Sequence, residues 1–367
     1  MTIAVDTSSF TSDKNSAYSG YILDSMIRLA GKHPRQNFLF IFDRQFNKNG
    51  IFPKNCNCII VGSASKSPLL WPYWYNFQIP AVLKKHKADI LIAANGIASL
   101  KTRVPQLLLI HEFSFLQNPG FLKKSQLRFY KKFTGEFLRK AKNIVTFTGF
   151  SKDIIANNFK TAGNVDVINP GIRDNFKPLA PAQKDLIKES YTEGKEYFLS
   201  TESNNLINLL KAFSFFKKRQ KSNMMLLITG QTDEEFMKAL QNYKFRNEVR
   251  LFHNLTDKEF SNILAAAYAV VNPVLYSSFT NVPLQAMQCE VPVVTSTTGI
   301  LPSLCHNAAL YVNPRDFEDI AEKMMLVYKD EEKTKVLVKA GTSLLAQHLP
   351  DDYDEQIWQC ILKTIND

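Results

Sequence analysis

Apolar residues along this chain recur with two alternating periods. Short apolar runs bounded by polar residues or glycine read as buried strands. They fall at 3–5, ending on Asp6, and then at 37–43, 57–61, 89–93, 107–110, 143–147 and 165–168. Between them, apolar positions three and four apart predict helices over 21–30, 79–87, 125–141 and 152–159, with Gly31 closing the first. A second series begins at 197–200 and continues with strands at 224–229, 249–252 and 269–272. Helices over 204–218 and 257–267 separate these, and Thr256 is placed to cap the latter.

Strand–helix alternation of this kind implies mostly parallel, doubly wound sheets. The stretch 174–196 carries Pro178, Pro181 and mixed charge, and reads as a linker. Expected domains are therefore 1–175 and 176–348. The remainder, 349–367, reads as a helix with Ile357, Trp358, Ile361 and Leu362 on one face. Ligands of such folds bind at the carboxyl ends of strands and in clefts between domains.

Composition narrows the class. With 45% hydrophobic residues in 367, two packed cores are within reach. Five scattered cysteines give neither a disulfide framework nor a zinc site, because Cys56 and Cys58 lack the two-residue spacer of metal knuckles. The opening residues, MTIAVDTSSF, pattern as a strand rather than a signal peptide. No run approaches the ~18 apolar residues of a membrane span, so a cytoplasmic protein is expected.

The net charge of +11 comes from clusters such as 84–87, 123–124, 131–132, 139–142 and 217–219. Solvated helix faces are one reading. Peripheral contact with an anionic membrane surface is another. Nucleic-acid binding is set aside, since no recognition motif accompanies the charge.

Candidate chemistry concentrates at 272–296, NPVLYSSFTNVPLQAMQCEVPVVTS. It patterns as a strand end, a polar loop, a helix and a second strand. Asn281 is placed to cap that helix, and Pro283 suits its first turn. Ser278 and Thr280 add hydroxyls and backbone N–H groups, so the segment offers a helix N-terminus to a phosphate. Further segments are IAVDT near the start, LLLIHEFSFLQNP at 107–119, IVTFTGFSK at 144–152 and VINPGIR at 167–173.

In this order and spacing, these segments resemble the family 4 retaining glycosyltransferases along roughly residues 1–345. The resemblance implies the GT-B fold, an α/β architecture of two tandem doubly wound Rossmann-like domains facing a central cleft, with the final helix crossing back to the N-terminal domain. It implies sugar transfer from a nucleotide diphosphate sugar to a saccharide or glycolipid acceptor, without metal or other cofactor. The leaving diphosphate gathers negative charge, so such a site needs preorganised positive potential.

Carried over position by position, the donor site comprises Ser277, Ser278, Phe279, Thr280, Asn281 and Gln285, with Gly230, Ser203, Asn204, Arg173 and Gly20. His111, at the end of an apolar strand, matches the family histidine near the donor sugar and is the catalytic candidate. Ser277 and Gln285 stand where the family carries glutamates, and Ser203 and Asn204 where it carries Arg and Lys. Gln285 can still accept a ribose hydroxyl, without charge assistance. Arg173 is a cation able to replace a lost phosphate contact, and Gly20 is expected to permit a close backbone turn. The aromatic stretch 69–77 reads either as an acceptor surface or as helix-to-sheet packing.

Two functions stand side by side, the first on the family match, the helix N-terminus and His111, the second on these substitutions. One is a glycosyltransferase of cell-surface polysaccharide or glycolipid synthesis. The other is a catalytically degenerate GT-B protein serving as a binding or partner subunit. A third class, an epimerase or phosphorylase on the same fold, has no motif of its own.

Overall fold

The computed structural model describes residues 1–8, 17–45, 52–62, 68–161, 163–172, 175–201, 204–346 and 350–366. The chain forms two compact units: Met1–Pro170 together with Asp351–Asp367, and Gly171–Pro350.

Unit 1 is built on seven parallel strands, β1 (Thr2–Asp6), β2 (Asn37–Phe42), β3 (Cys56–Ile60), β4 (Ile90–Ala93), β5 (Gln106–Leu109), β6 (Asn143–Thr146) and β7 (Asn164–Val167), in the order β3-β2-β1-β4-β5-β6-β7. The central strands are buried on both faces, which explains why they read as continuous apolar runs. The helices that matter below are α1 (Ala17–Lys32) and α2 (Lys124–Lys140). Helix α1 ends at Lys32, one residue past Gly31.

The stretch 69–77 divides its aromatics. Trp74 and Tyr75 are buried, and the Trp74 indole N–H donates to the Val61 carbonyl at 2.9 Å. Tyr73 and Phe77 are 58% and 60% exposed and stack on each other.

Helix α3 (Pro350–Asn366) packs within unit 1. Its buried Asp354 pairs with Arg28 at 3.1 Å and Lys32 at 2.9 Å, both on α1. Trp358 stacks on His33, and Thr364 accepts a hydrogen bond from Asn143 at 3.1 Å.

Unit 2 carries six parallel strands, β8 (Tyr197–Ser200), β9 (Met225–Thr229), β10 (Val249–Phe252), β11 (Ala269–Asn272), β12 (Val293–Ser296) and β13 (Leu310–Val312), in the order β10-β9-β8-β11-β12-β13. Thr256 caps its following helix through a capping box with Glu259, as expected. The stretch read as a linker is instead largely helical, over Pro181–Thr192. Pro181 is in the first turn, a position that favours a helix start. The helix is mostly solvent-facing, with Leu186 69% exposed, so it shows no strong apolar stripe.

Both sheets reverse their winding beside the first strand of the unit, between β1 and β4 and between β8 and β11. Such switch points open a crevice at the strand carboxyl ends.

Candidate donor and catalytic sites

At the unit 1 switch point, the carboxylate of Asp6 ends β1. It accepts from the Ser8 N–H at 3.1 Å and from the Asn95 side chain at 2.9 Å, and Asn95 follows β4. Ser8 in turn meets the Tyr75 hydroxyl at 3.1 Å. Burial pushes Asp6 up to about 6, against the lowering effect of these hydrogen bonds.

His111 lies just beyond β5 in the same unit. Its ring stacks on Tyr18 with centroids 3.5 Å apart, and the Tyr18 hydroxyl donates to the Ala94 carbonyl. Although the residue keeps some surface, the ring is deep enough that burial lowers its pKa to about 3. The imidazole is therefore neutral at physiological pH, able to donate or accept a hydrogen bond but not to carry charge. Tyr18 and Asp6 interact as well: the carboxylate adds to the burial that raises the phenol.

In unit 2, Asn272 ends β11 and spans the switch point. Its carboxamide oxygen accepts from the Thr201 N–H at 2.9 Å and the Ser200 hydroxyl at 3.2 Å, and its nitrogen donates to the Thr201 hydroxyl at 2.9 Å. The loop that follows is fastened from several segments. Asn204 accepts from the Leu275 N–H and donates to the Tyr276 carbonyl, both at 3.0 Å. Asn205 donates to the carbonyls of Pro273 and Pro314. Thr298 donates to the Val274 carbonyl, and the Ile300 N–H donates to the Ser277 carbonyl at 3.3 Å. Gly299, at φ +63°, lets this approach happen, because a Cβ there would sit 2.4 Å from the Ser277 oxygen.

The loop leads into α4 (Val282–Gln288), a short helix with Pro283 in its first turn. Asn281 occupies the N-cap position but makes no side-chain cap bond. Its backbone is helical, φ −108° and ψ −8°, rather than extended, so the side chain is not aimed at the first-turn N–H groups. Thr280 takes over in part, accepting from the Val282 N–H at 3.3 Å. The Asn281 Oδ1, in a residue only 7% exposed, is buried with no hydrogen-bond partner. The Ser296 hydroxyl at the end of β12 is in the same state.

Ser277, Thr280, Asn281 and Gln285 are all buried in this loop and helix, and Ser278 and Phe279 are partly so. Gly230 follows β9 at φ +100°, with its carbonyl held by His253. Gly20 does not form the expected turn. It sits exposed inside the first turns of α1, with ordinary helical backbone. Arg173 and Ser203 lie outside the described residues. Sequence reasoning placed Asp6 at a strand end and Asn272 at the start of the candidate segment without giving either a role, and it missed Asn95 altogether. Their only signal was a polar residue closing an apolar run, at the last strand position for Asp6 and Asn272 and two residues beyond β4 for Asn95.

Comparison with known proteins decides the ancestry. The family model for glycosyl transferases group 1 matches residues 199–344, and that for glycosyltransferase family 4 matches residues 46–176. The chain belongs to the family 4 glycosyltransferases. An O-antigen chain mannosyltransferase B of Escherichia coli is 24% identical over 265 residues, covering 70% of this chain and 68% of the relative. The O-antigen chain mannosyltransferase RfbU of Salmonella typhimurium is 24% identical over 266 residues, covering 70% of this chain and 71% of its own. Among solved structures, sucrose-phosphate synthase of Thermosynechococcus elongatus superposes with a TM-score of 0.79 at 17% identity, covering 99% of this chain and 98% of that one. Anabaena HepE, solved with UDP and glucose, gives 0.78 at 15% identity over 99% and 100%.

The fold is that of GT-B glycosyltransferases, and the family's reaction is sugar transfer from a nucleotide-sugar donor to a saccharide or glycolipid. Among the described residues, no helix is long and apolar enough to cross a membrane, and no cluster of His, Cys, Asp or Glu is arranged to hold a metal.

Proposed function

We propose that unit 2 of this glycosyltransferase binds the ribose and diphosphate of a nucleotide sugar over residues 275–285, and that the sugar passes with retention to a saccharide or glycolipid acceptor. The observation that carries this reading is the buried, unpartnered Asn281 Oδ1. Leaving such an acceptor unsatisfied costs about 1–3 kcal/mol. A ribose or sugar hydroxyl is the donor that would satisfy it.

The chain meets the diphosphate without the family's cations at residues 203 and 204. Its loop is made rigid instead by the carboxamides of Asn204, Asn205 and Asn272, so that neutral N–H and hydroxyl dipoles are fixed before the ligand arrives. Preorganised dipoles stabilise a developing anion without reorganising. In unit 1, the neutral His111 ring can donate or accept a hydrogen bond to a sugar hydroxyl, and the exposed pair Tyr73 and Phe77 offers an aromatic face to a saccharide. The two bacterial relatives named as mannosyltransferases favour mannose as the transferred sugar.

The test is incubation with GDP-mannose and with UDP- and ADP-sugars, each with and without lipid-linked saccharides. Release of nucleoside diphosphate and a lengthened acceptor are expected with at least one donor. A panel with no release and no stabilisation by any nucleotide sugar would overturn the reading. The alternative of a degenerate partner subunit rests on the replacements at Ser277, Gln285, Ser203 and Asn204 alone, and no relative or structural observation adds to it.

A further inference from the structure

A surface cavity of about 390 Å³ in unit 1 is bordered by Arg103, Arg139, Lys140 and Lys142, with Pro105 and Ala141 in its wall. It lies where β5 and β6 begin, since Gln106 and Asn143 are their first residues. Asp6 and His111 follow the opposite, carboxyl ends of the same sheet. The cavity is therefore separate from the chemistry described above.

Two chain segments, 103–106 and 139–142, supply its charge. Arg139 and Lys140 close α2, where cations also complement the helix dipole. That accounts for two of the four. Arg103 comes from the loop before β5, and Lys142 follows the α2 C-cap. None of the four is ion-paired among the described residues, and Arg103, Arg139 and Lys140 are exposed.

The loop that presents Arg103 is held in place. Gln106 bonds both the N–H and the carbonyl of Ser99 at 2.8 Å, the Thr102 N–H donates to the Ser99 hydroxyl, and the Val104 N–H donates to the Thr102 hydroxyl. The Lys142 N–H is tied to the Gln106 carbonyl at 3.0 Å. Gly163 presses on this corner so closely that a Cβ would lie 2.1 Å from the Lys142 oxygen. Convergent cations on a fixed backbone, with two guanidinium forks among them, suit a phosphate-bearing anion.

We propose that this cavity is a phosphate-anion site distinct from the donor site. Its ligand is either the headgroup of an anionic phospholipid or a soluble phosphate.

The test compares the wild-type chain with the triple variant Arg103→Gln, Arg139→Gln, Lys142→Gln. A control triple in unit 2, Lys218→Gln, Lys238→Gln, Lys258→Gln, removes the same amount of charge from exposed positions. Binding is read by co-sedimentation with phosphatidylglycerol–phosphatidylcholine vesicles and with phosphatidylcholine alone, and by thermal shift with inorganic pyrophosphate. Pocket variants should bind about fivefold more weakly for each cation removed, while the control keeps wild-type binding. Loss confined to the vesicles assigns the lipid source, and loss confined to pyrophosphate assigns the soluble one. Equal loss in both triples, or wild-type binding to neither probe, would overturn the proposal. If the triple fails to fold by circular dichroism, the single variant Arg103→Gln on the exposed loop carries the same comparison.

Discussion

The carboxamide of Asn204 brackets the dipeptide Leu275–Tyr276, accepting from the Leu275 N–H and donating to the Tyr276 carbonyl at 3.0 Å each. A lysine, which the family carries here, has three donors and no acceptor. It could not take the Leu275 N–H. The amide thus fastens the loop that a cation would otherwise only face.

Replacing Asn204 tests this. Asn204→Ala removes two hydrogen bonds that each contribute about 0.5–1.5 kcal/mol. The expected result is a loss of about 1–3 kcal/mol in chemical denaturation followed by circular dichroism, with a weaker nucleotide-sugar thermal shift. Asn204→Lys should not strengthen donor binding, despite restoring the family's charge, because the loop loses its fastener. A lysine variant with a larger nucleotide-sugar shift than wild type would show that the loop does not depend on the amide.

Gly299 is the second support of the same loop. Any side chain there meets the Ser277 carbonyl at 2.4 Å and must also hold φ near +63°. Left-handed backbone alone costs a non-glycine residue about 1–3 kcal/mol. Gly299→Ala should therefore lower stability by at least ~2 kcal/mol and displace Ser277, with loss of donor-induced stabilisation. An alanine variant that keeps both wild-type stability and the donor shift would mean the loop can move without consequence.

The strands of both units, apart from the three-residue β13 (Leu310–Val312), were legible because buried parallel strands leave largely apolar runs, as at 37–42 and 225–229. The helix Pro181–Thr192 was not, because its exposed surface leaves no apolar stripe and its proline and charges resemble those of a linker. The signature loop was legible as a place but not as a geometry. Asn281 looked like a cap, and only its helical backbone shows that its oxygen is left unused. Asp6 and Asn95 stand 89 residues apart and meet only because β1 and β4 are neighbours. Strand–helix alternation does not encode that order.

Asn281 gives a prediction in which stability and binding part company. Asn281→Leu removes a buried oxygen that has no partner in the fold. Stability without ligand should stay level or rise, since an unsatisfied acceptor costs about 1–3 kcal/mol. Donor binding should fall by at least about tenfold if that oxygen receives a sugar or ribose hydroxyl, as a lost bond of ~1.4 kcal/mol requires. Calorimetric titration with the nucleotide sugar identified in the donor panel reads both the affinity and its change. Unchanged affinity would remove Asn281 from the donor site.

Asp6 and His111 make opposite contributions to the pH dependence of unit 1. Asp6 titrates at about 6 in the fold against an ordinary 3.8, so the folded state holds a proton that the unfolded chain releases. Its effect is to lower stability as pH rises from 3.8 to 6, by about 3 kcal/mol in total at 1.36 kcal/mol per unit. His111 titrates at about 3 against an ordinary 6.5, so the unfolded chain binds the proton first. Its effect is to raise stability as pH climbs from 3 to 6.5. Between pH 4 and 6 the two slopes offset each other, and wild-type unit 1 should be nearly flat. All three tryptophans, Trp71, Trp74 and Trp358, lie in unit 1, so their emission during urea unfolding reports on that unit alone. Asp6→Asn should leave a stability that rises with pH across this window, and His111→Gln one that falls. Slopes of the same sign in the two variants would show that these buried groups do not govern the acid response of unit 1.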